Sequence, residues 1–427
     1  MSTIFAPTGR RGLRQIFAGN VAARLAALVA LALATVMVGR VGGPDLVGGF
    51  TLLRVLPGLA GVLAVAGLPG AAPYFLSSRP SDRRLRSTLA VLTVLGAGLG
   101  ALGWLALAPL LHRVFFSDWS PLLTVAAASA VFTQVFVAVG KALLQGDGDL
   151  PGANYAIVAE EAAYLPVYPL LLVAGRGMGS VLTALVAADV LVAAGIGCRL
   201  WRRGFFGGWA RPDMRLAAEI AGYGTRGQVG GLLSLVNLRL DVAILGAIAG
   251  PGVLGVYAVA SKYAELLRLP GLAVTYVLYP VFSRKGRDVA AARTRALMLP
   301  ALGLNALAAV PLAVVAGMVL PWLYGSAFDD AVRPAWILLA GLVGEGVAGL
   351  VSAYLYGVGK PGLNSLAVGA GVIVTVIGDV LLIRPLGAVG AAIASAVAYL
   401  TTTAALLVCF RLVSGRGHEA NDEPATA

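Results

Sequence analysis

The chain has 427 residues, of which 59% are hydrophobic and only 12% are charged. Soluble domains carry about twice this charged fraction, because roughly a quarter of their residues are Asp, Glu, Lys or Arg. Apolar stretches of about 20 residues, the length that crosses a hydrocarbon core of about 30 Å, recur from Ile16 to Phe410. This composition excludes a water-soluble globular protein and predicts an integral membrane protein.

Twelve apolar spans follow one another along the chain, separated by short polar connections. The first span comes after Arg10, Arg11 and Arg14 and is longer than the apolar region of a signal peptide, so we interpret it as a retained helix. We therefore predict an all-α polytopic membrane protein. The predicted spans are residues 16–38, 47–70, 88–111, 120–143, 151–174, 180–200, 223–248, 254–280, 296–320, 334–357, 363–383 and 387–411.

Basic residues are distributed unequally between the two sides of these spans. If the N-terminus is cytoplasmic, the cytoplasmic segments hold 21 Lys and Arg residues and the opposite segments hold 5. Such a bias follows the positive-inside rule for short loops. It predicts that both termini are cytoplasmic, and it accounts for the net charge of +12 without a nucleic-acid partner.

The two halves of the chain resemble each other in sequence. The segment VGRVGGPDLVGGF from Val38 aligns with LGAIAGPGVLGVY from Leu245. Five residues of the first segment meet their counterparts at a constant offset of 207: Gly39, Gly43, Pro44, Gly48 and Phe50 meet Gly246, Gly250, Pro251, Gly255 and Tyr257.

Each half contains six predicted spans, so both halves enter the membrane in the same sense. Parallel repeats of this kind occur in transporters that work by alternating access. We predict an N-terminal six-helix lobe at residues 1–200 and a cytoplasmic linker at 201–216. A C-terminal six-helix lobe follows at 217–411, and a cytoplasmic tail at 412–427.

The sequence offers little for catalysis or metal binding. Two isolated cysteines, Cys198 and Cys409, and two histidines, His112 and His418, form neither a disulfide framework nor a metal-site pattern. We find no catalytic constellation, and the loops are too short and too basic for a membrane-embedded glycosyltransferase. We therefore predict a protein that is not an enzyme and that uses no metal or cofactor.

Basic residues also lie inside the predicted spans, where a charge near the bilayer centre costs on the order of 3 kcal/mol. Such residues usually face a wet cavity or a charged partner. The same spans hold only two acids, Asp241 and Glu265, so six cations minus two acids leaves +4, and a cavity lined by these spans would prefer an anion. The six cations, all in the first, second, seventh and eighth spans, are Arg24, Arg54, Arg226, Arg239, Lys262 and Arg268.

Structural roles remain open for some of these cations. Lys262, Glu265 and Arg268 have the spacing of an intrahelical charge stripe. Arg226 and Arg268 could instead extend their charges from the span ends to the membrane interface.

Embedded acids form a second group of candidates. Asp241, Glu265, Asp189 and Glu345 could pair with basic partners or carry a coupling ion, because ionisable residues within membrane spans commonly mark ion pathways. Three further embedded acids have the same two possible roles: Glu160, Glu161 and Asp379. The sequence does not choose between these two roles.

Two stretches resemble a known family. They are GRVGGPDLVGGF from Gly39 and NLRLDVAILGAIAGPGVLGVYAVASKYAELLRLPGLAVTYVLYPVFSR from Asn237 to Arg284. Together with the plan of six plus six helices, they are similar to the multidrug/oligosaccharidyl-lipid/polysaccharide (MOP) exporter superfamily, specifically its polysaccharide flippases of the O-antigen type. The resemblance implies two six-helix lobes around a central cavity lined by helices 1, 2, 7 and 8, a fold like that of the MATE transporters.

The resemblance also implies a function. Such a flippase moves a polyprenyl-pyrophosphate-linked oligosaccharide across the bacterial cytoplasmic membrane for lipopolysaccharide or other surface polysaccharide, alongside glycosyltransferases and a polymerase. Its partners would be the lipid-linked substrate and membrane lipid. The cations expected to attract the pyrophosphate are Arg24, Arg54, Arg239 and Lys262.

Alternative functions are carried by the same superfamily and by others. Drug and cation antiporters commonly have an acidic residue in helix 1, which this chain lacks. Lipid II flippases use arginines in helices 1 and 2, similar to Arg24 and Arg54, but usually have two more helices. The segment SDRRLRS from Ser81 is faintly similar to a major-facilitator loop, although the leading glycine is missing. A nonenzymatic scaffold would not explain the embedded charge.

Overall fold

The computed structural model describes residues 10–65, 67–268 and 287–419, with side chains over 18–65, 67–225, 239–268 and 288–414. Throughout this part of the chain the regular structure is helical, without strands, which confirms the predicted all-α class. The predicted segments that extend outside the described residues include the eighth span, from residue 269 onward, and the cytoplasmic tail, from residue 420 onward.

Thirteen α-helices are present in the described residues. Two short 3-10 segments, Glu265–Leu267 and Ser326–Ala331, follow α9 and α10. The helices are α1 Arg10–Ala64, α2 Leu68–Ser78, α3 Arg83–Phe115, α4 Pro121–Ala126, α5 Ala128–Gly146, α6 Leu150–Ala162, α7 Tyr164–Leu171, α8 Met178–Arg202, α9 Met214–Ala264, α10 Arg287–Tyr324, α11 Val332–Leu342, α12 Glu345–Gly357 and α13 Pro361–Glu419.

Three of these helices are each two predicted spans joined at a glycine. The joints are Gly43 in α1, Gly250 in α9 and Gly387 in α13, with φ angles of 65°, 80° and 55°. This left-handed conformation is readily available only to glycine, so the chain can reverse there without a long loop. Gly43 and Gly250 are aligned in the sequence repeat, and each precedes a proline, a residue suited to the first turn of a helix.

Other predicted spans are interrupted rather than joined. The span predicted at 47–70 is wrong at its end, because Gly67 has a φ of 80° and α2 starts anew at Leu68. Pro166 lacks the N–H that would bond to Ala162, which accounts for the break between α6 and α7. α11 and α12 are bent by 41° at their junction. The short helix α4 and the helix α5 together form one span, Pro121–Gly146. With the three joints divided and the four interrupted spans each counted once, the described helices match the twelve predicted spans.

Contacts divide the chain into two compact units. The first contains residues 1–42 and 49–236, and the second contains 43–48 and 237–427. The first has an apolar core around Phe75, Leu143 and Ile196, and the second has one around Val351 and Tyr354. The lobe limits predicted from the sequence, with a linker at 201–216, stay a prediction.

A reciprocal backbone contact lies inside the second unit. A Cβ atom placed on Gly48 would be 1.8 Å from the carbonyl oxygen of Pro251, and one placed on Gly255 would be 1.9 Å from the carbonyl oxygen of Pro44. Gly48 and Gly255 are partners in the sequence repeat, as are Pro44 and Pro251. The same close approach therefore occurs twice, with the roles of the two segments exchanged.

An ion-pair cluster holds the turn between α5 and α6, which lies outside the predicted spans. Asp147 accepts a hydrogen bond from Arg86 at 3.1 Å. Asp149 accepts one from Nη2 of Arg199 at 2.9 Å and a second from the backbone N–H of Gly152 at 3.0 Å. The Arg199 hydrogen bond, assisted by that N–H, lowers the pKa of Asp149. This turn is thus fixed to α3 and α8 by charge as well as by packing.

Candidate substrate-cation and ion-coupling sites

Arg24 lies on the exposed side of α1 in the first unit. Its Nε donates a hydrogen bond to Oδ1 of Asn20 one turn earlier, and Nδ2 of Asn20 donates to Oδ1 of Asn154 on α6, both at 3.0 Å. Among the described residues, no carboxylate lies within ion-pair distance of Arg24. Two amides therefore position this guanidinium without neutralising it.

Arg54 has a different environment. Its Nη2 is 2.7 Å from Oε1 of Glu161 on α6, and its guanidinium lies 5.6 Å from the ring centroid of Phe50. Both charged side chains are largely buried, at 23% and 15% exposed. Spacing along the helix of Arg54 could not indicate this partner, because Glu161 lies 107 residues away in the sequence. Among the described residues, the charge of Arg54 is thus balanced by a carboxylate, whereas that of Arg24 is not.

Further carboxylates surround this pair. Lys141 on α5 forms an ion pair with Glu160, the residue before Glu161. Asp189 on α8 is buried and accepts a hydrogen bond from Thr133 at 3.1 Å. It also lies within electrostatic range of Arg54, Glu160 and Glu161. The structure therefore brings the predicted Asp189 and Arg54 into one cluster of three acids and two cations.

A second acidic site lies in the second unit around Asp241. Its Oδ2 accepts a hydrogen bond from the Tyr257 hydroxyl at 2.6 Å, and its Oδ1 accepts one from the backbone N–H of Val242 at 2.8 Å. The Tyr257 hydroxyl is also 2.9 Å from Oγ of Ser395. Asp241 thus belongs to a buried hydrogen-bonded group joining α9 and α13.

Asp379 is an embedded acid that the sequence analysis did not choose among its candidate coupling residues. It is fully buried in α13 and lies within electrostatic range of Asp241. Neither of its carboxylate oxygens has a hydrogen-bond partner among the described residues. Burying an unpaired carboxylate is costly, which makes Asp379 a candidate for holding a proton or a cation. Its sequence signal was a single acid inside an apolar span.

Three further predicted residues, Lys262, Glu265 and Arg268, lie around the end of α9. The guanidinium of Arg268 is 4.9 Å from the ring centroid of Tyr399 and within electrostatic range of Glu265 and Glu345. The helix becomes a 3-10 turn at Glu265, in which side chains at i and i+3 share one face, so the spacing of the predicted stripe is kept. Lys262 is half-buried.

The four predicted substrate cations divide between the units. Arg24 and Arg54 belong to the first, whereas Arg239 and Lys262 belong to the second. That all four face one cavity stays a prediction. The side chain of Arg226 lies outside the described residues. Within the part of the chain that is described, no group of three or more His, Cys, Asp or Glu residues is arranged to hold a metal ion.

Residues 47–333, about two thirds of the chain, match the family described as polysaccharide biosynthesis protein. The chain belongs to the polysaccharide biosynthesis protein family. This membership confirms the polysaccharide biosynthesis part of the predicted resemblance. None of the curated proteins compared with the sequence matches it.

Solved structures share the fold of this family member. The lipid II flippase MurJ in an inward closed conformation has a TM-score of 0.73 and 13% identity, over 94% of this chain and 90% of that one. An inward-facing multidrug resistance MATE transporter of the MOP superfamily has a TM-score of 0.72 and 18% identity, over 93% and 96%. An outward-facing MATE transporter has a TM-score of 0.60 and 16% identity, with the same coverage. All three are membrane transport proteins, and at these identities they establish the fold alone.

Proposed function

We propose that this protein is a flippase that moves a polyprenyl-pyrophosphate-linked oligosaccharide from the cytoplasmic to the outer leaflet of the bacterial cytoplasmic membrane. Its product would be used for a surface polysaccharide such as O-antigen. The observation that carries this proposal is Arg24, a cation within an apolar helix whose charge no described carboxylate balances. Membership of the polysaccharide biosynthesis protein family supports the same substrate class.

The cations are assigned different roles. Arg24 is the first contact for the pyrophosphate, because its guanidinium is held by a neutral amide and can accept an anion without losing an ion pair. Arg54 can bind the anion only when Glu161 is protonated or displaced. Arg239 and Lys262 would contact the pyrophosphate from the second unit.

Energy would be coupled to transport through the acids of the second unit. Asp241 and Asp379 are two buried carboxylates within electrostatic range of each other. Two negative charges this close and this buried repel each other, so either one carboxylate holds a proton or a cation binds between them. We assign the coupling ion to this pair. Asp189, in the first unit, and Glu265 and Glu345, near Arg268, are assigned ion-pairing roles.

The test is export of surface glycan in cells that depend on this chain. Replacement by Gln should reduce export at each of the four sites, Arg24, Arg54, Arg239 and Lys262, with the largest loss at Arg24. The control is Arg333→Gln, which should leave export unchanged because Arg333 is exposed and lies outside the predicted spans. Immunoblots of membrane fractions would confirm equal amounts of each variant. Unchanged export in all four Gln variants would overturn the proposal.

A multidrug or cation antiporter is the second candidate, favoured by the similarity to the MATE transporters and by the acids around Asp189. Resistance to cationic dyes on expression, with normal surface glycan after deletion, would support it. A lipid II flippase is a further alternative, and it predicts rescue of cells depleted of their own lipid II flippase. Loss of surface glycan without either phenotype would support the oligosaccharide flippase.

A further inference from the structure

A groove of about 530 Å³ runs between α1 and α6 in the first unit. Its walls include Gly19, Ala22, Ala23 and Ala26 from α1, and Tyr155 and Val158 from α6. The four small residues are spaced at i, i+3, i+4 and i+7, so they share one face of the helix. Their short side chains leave the space that forms the groove.

The shape of the groove suits a chain-like apolar ligand. From Gly19 to Ala26 it extends about 10 Å along α1, at about 1.5 Å per residue. This length is about two thirds of one leaflet of a bilayer whose hydrocarbon core is about 30 Å thick. Walls of alanine, valine and aromatic side chains offer few partners to the hydroxyl groups of a sugar.

One edge of the groove is polar. Asn154 lines it and accepts the hydrogen bond from Asn20, which in turn holds Arg24. Arg24 lies between Ala23 and Ala26 in the sequence and is exposed. A matching ligand therefore has an apolar chain with an anionic group attached to one end.

We propose that this groove binds the isoprenoid chain of a lipid-linked substrate next to its pyrophosphate, while Arg24 binds the phosphate oxygens. The assignment rests on the proposed flippase function and adds a location for the lipid part of the substrate. The groove itself gains little hydrophobic free energy, because surrounding lipid tails are equally apolar. Selectivity comes from combining its shape with the charge of Arg24.

The depth of Arg24 distinguishes this ligand from a resident phospholipid. Arg24 is eight residues beyond the start of the span predicted at 16–38, or about 12 Å along a helix axis. Phospholipid phosphates remain in the headgroup layer outside the hydrocarbon core. A phosphate bound at this depth would therefore belong to a lipid whose headgroup is entering the membrane.

Photocrosslinking of the full-length protein in lipid nanodiscs tests the assignment. The probe is a polyprenyl diphosphate with a benzophenone near the diphosphate, and the comparison lipid is a benzophenone-bearing phosphatidylglycerol. We expect the polyprenyl probe to label residues 19–26 or 150–158. Ala26→Phe, which fills the groove, should reduce labelling about tenfold, as should Arg24→Gln. Ala32→Phe, at an exposed alanine of the same helix outside the groove, should not change it.

Each contrary result has a distinct meaning. Equal labelling by phosphatidylglycerol, unaffected by Arg24→Gln, would identify a general acyl-chain groove and overturn the assignment. Labelling elsewhere, combined with loss of glycan export in Arg24→Gln cells, would overturn the groove but leave the flippase function intact. Specific labelling of the groove in a protein whose deletion leaves surface glycan normal would support the groove and refute the flippase. Ala22→Leu is the smaller filling variant if Ala26→Phe does not fold.

Discussion

Substitution of Gly48 or Gly255 by alanine should destabilise the second unit. The new Cβ would lie 1.8 Å or 1.9 Å from a proline carbonyl oxygen, whereas ordinary contacts begin at 3.4 Å. The two segments must therefore separate by about 1.5 Å. Overpacking of this kind costs about 1–3 kcal/mol, and the clash is with backbone, which has no alternative rotamer. The gain in helix propensity, about 1 kcal/mol, offsets only part of that cost.

Thermal unfolding of the detergent-solubilised protein at a fixed scan rate measures this effect. We expect both variants to have apparent midpoints a few degrees below that of the unsubstituted chain. Gly303→Ala in α10 is the matched control, because a Cβ there meets no atom within 4 Å, and it should be neutral or stabilising. The double variant should cost less than the two single changes combined, since one separation relieves both clashes. Midpoints equal to that of Gly303→Ala would refute the reasoning.

Three other predictions concern charged groups. Arg54→Met should destabilise the protein by about 3–5 kcal/mol, because it leaves Glu161 buried and unpaired. Adding Glu161→Leu should restore most of the lost unfolding free energy, measured in a chemical unfolding titration. If the double variant shows no recovery, the pairing is contradicted. Asp149→Asn should lower the unfolding midpoint at neutral pH. Since the pKa of Asp149 is lowered in the folded state, its stabilisation is present above its ordinary pKa and is lost as the pH falls through the folded value, so the two proteins should converge in acid. Asp379→Asn should keep or raise the midpoint while abolishing ion-coupled export in vesicles, whereas a fall in stability with normal export would exclude a coupling role.

The sequence predicted the features that depend on local pattern. Apolar length marked the spans, and the Gly-Pro pairs at Gly43 and Gly250 marked two joints whose backbone angles agree. Span ends were less predictable, because the conformation of Gly67 decides where α2 begins. Arg24 and Arg54 looked equivalent in the sequence, as cations some eight residues into their spans. Only the packing of α6 against α1 distinguishes them.

The same limitation applies to the acids. Asp241 has a hydrogen-bonded hydroxyl from Tyr257 in its own helix and, through it, Ser395 in another. Asp379 has no described partner, although the two acids look alike as single carboxylates in apolar spans. Whether a buried acid is satisfied depends on residues far away in the sequence, so spacing along one helix cannot decide it.

The amide bridge between α1 and α6 has a direction. Arg24 can only donate, so it fixes the oxygen of Asn20 toward itself and turns the amide nitrogen of Asn20 toward the oxygen of Asn154. The nitrogen of Asn154 is then left on the far side, where it approaches Gly19 to within 3.7 Å of a Cβ position. A guanidinium thus orients two neutral amides in series, and the last of them presents donors rather than acceptors to whatever occupies the space beside Gly19.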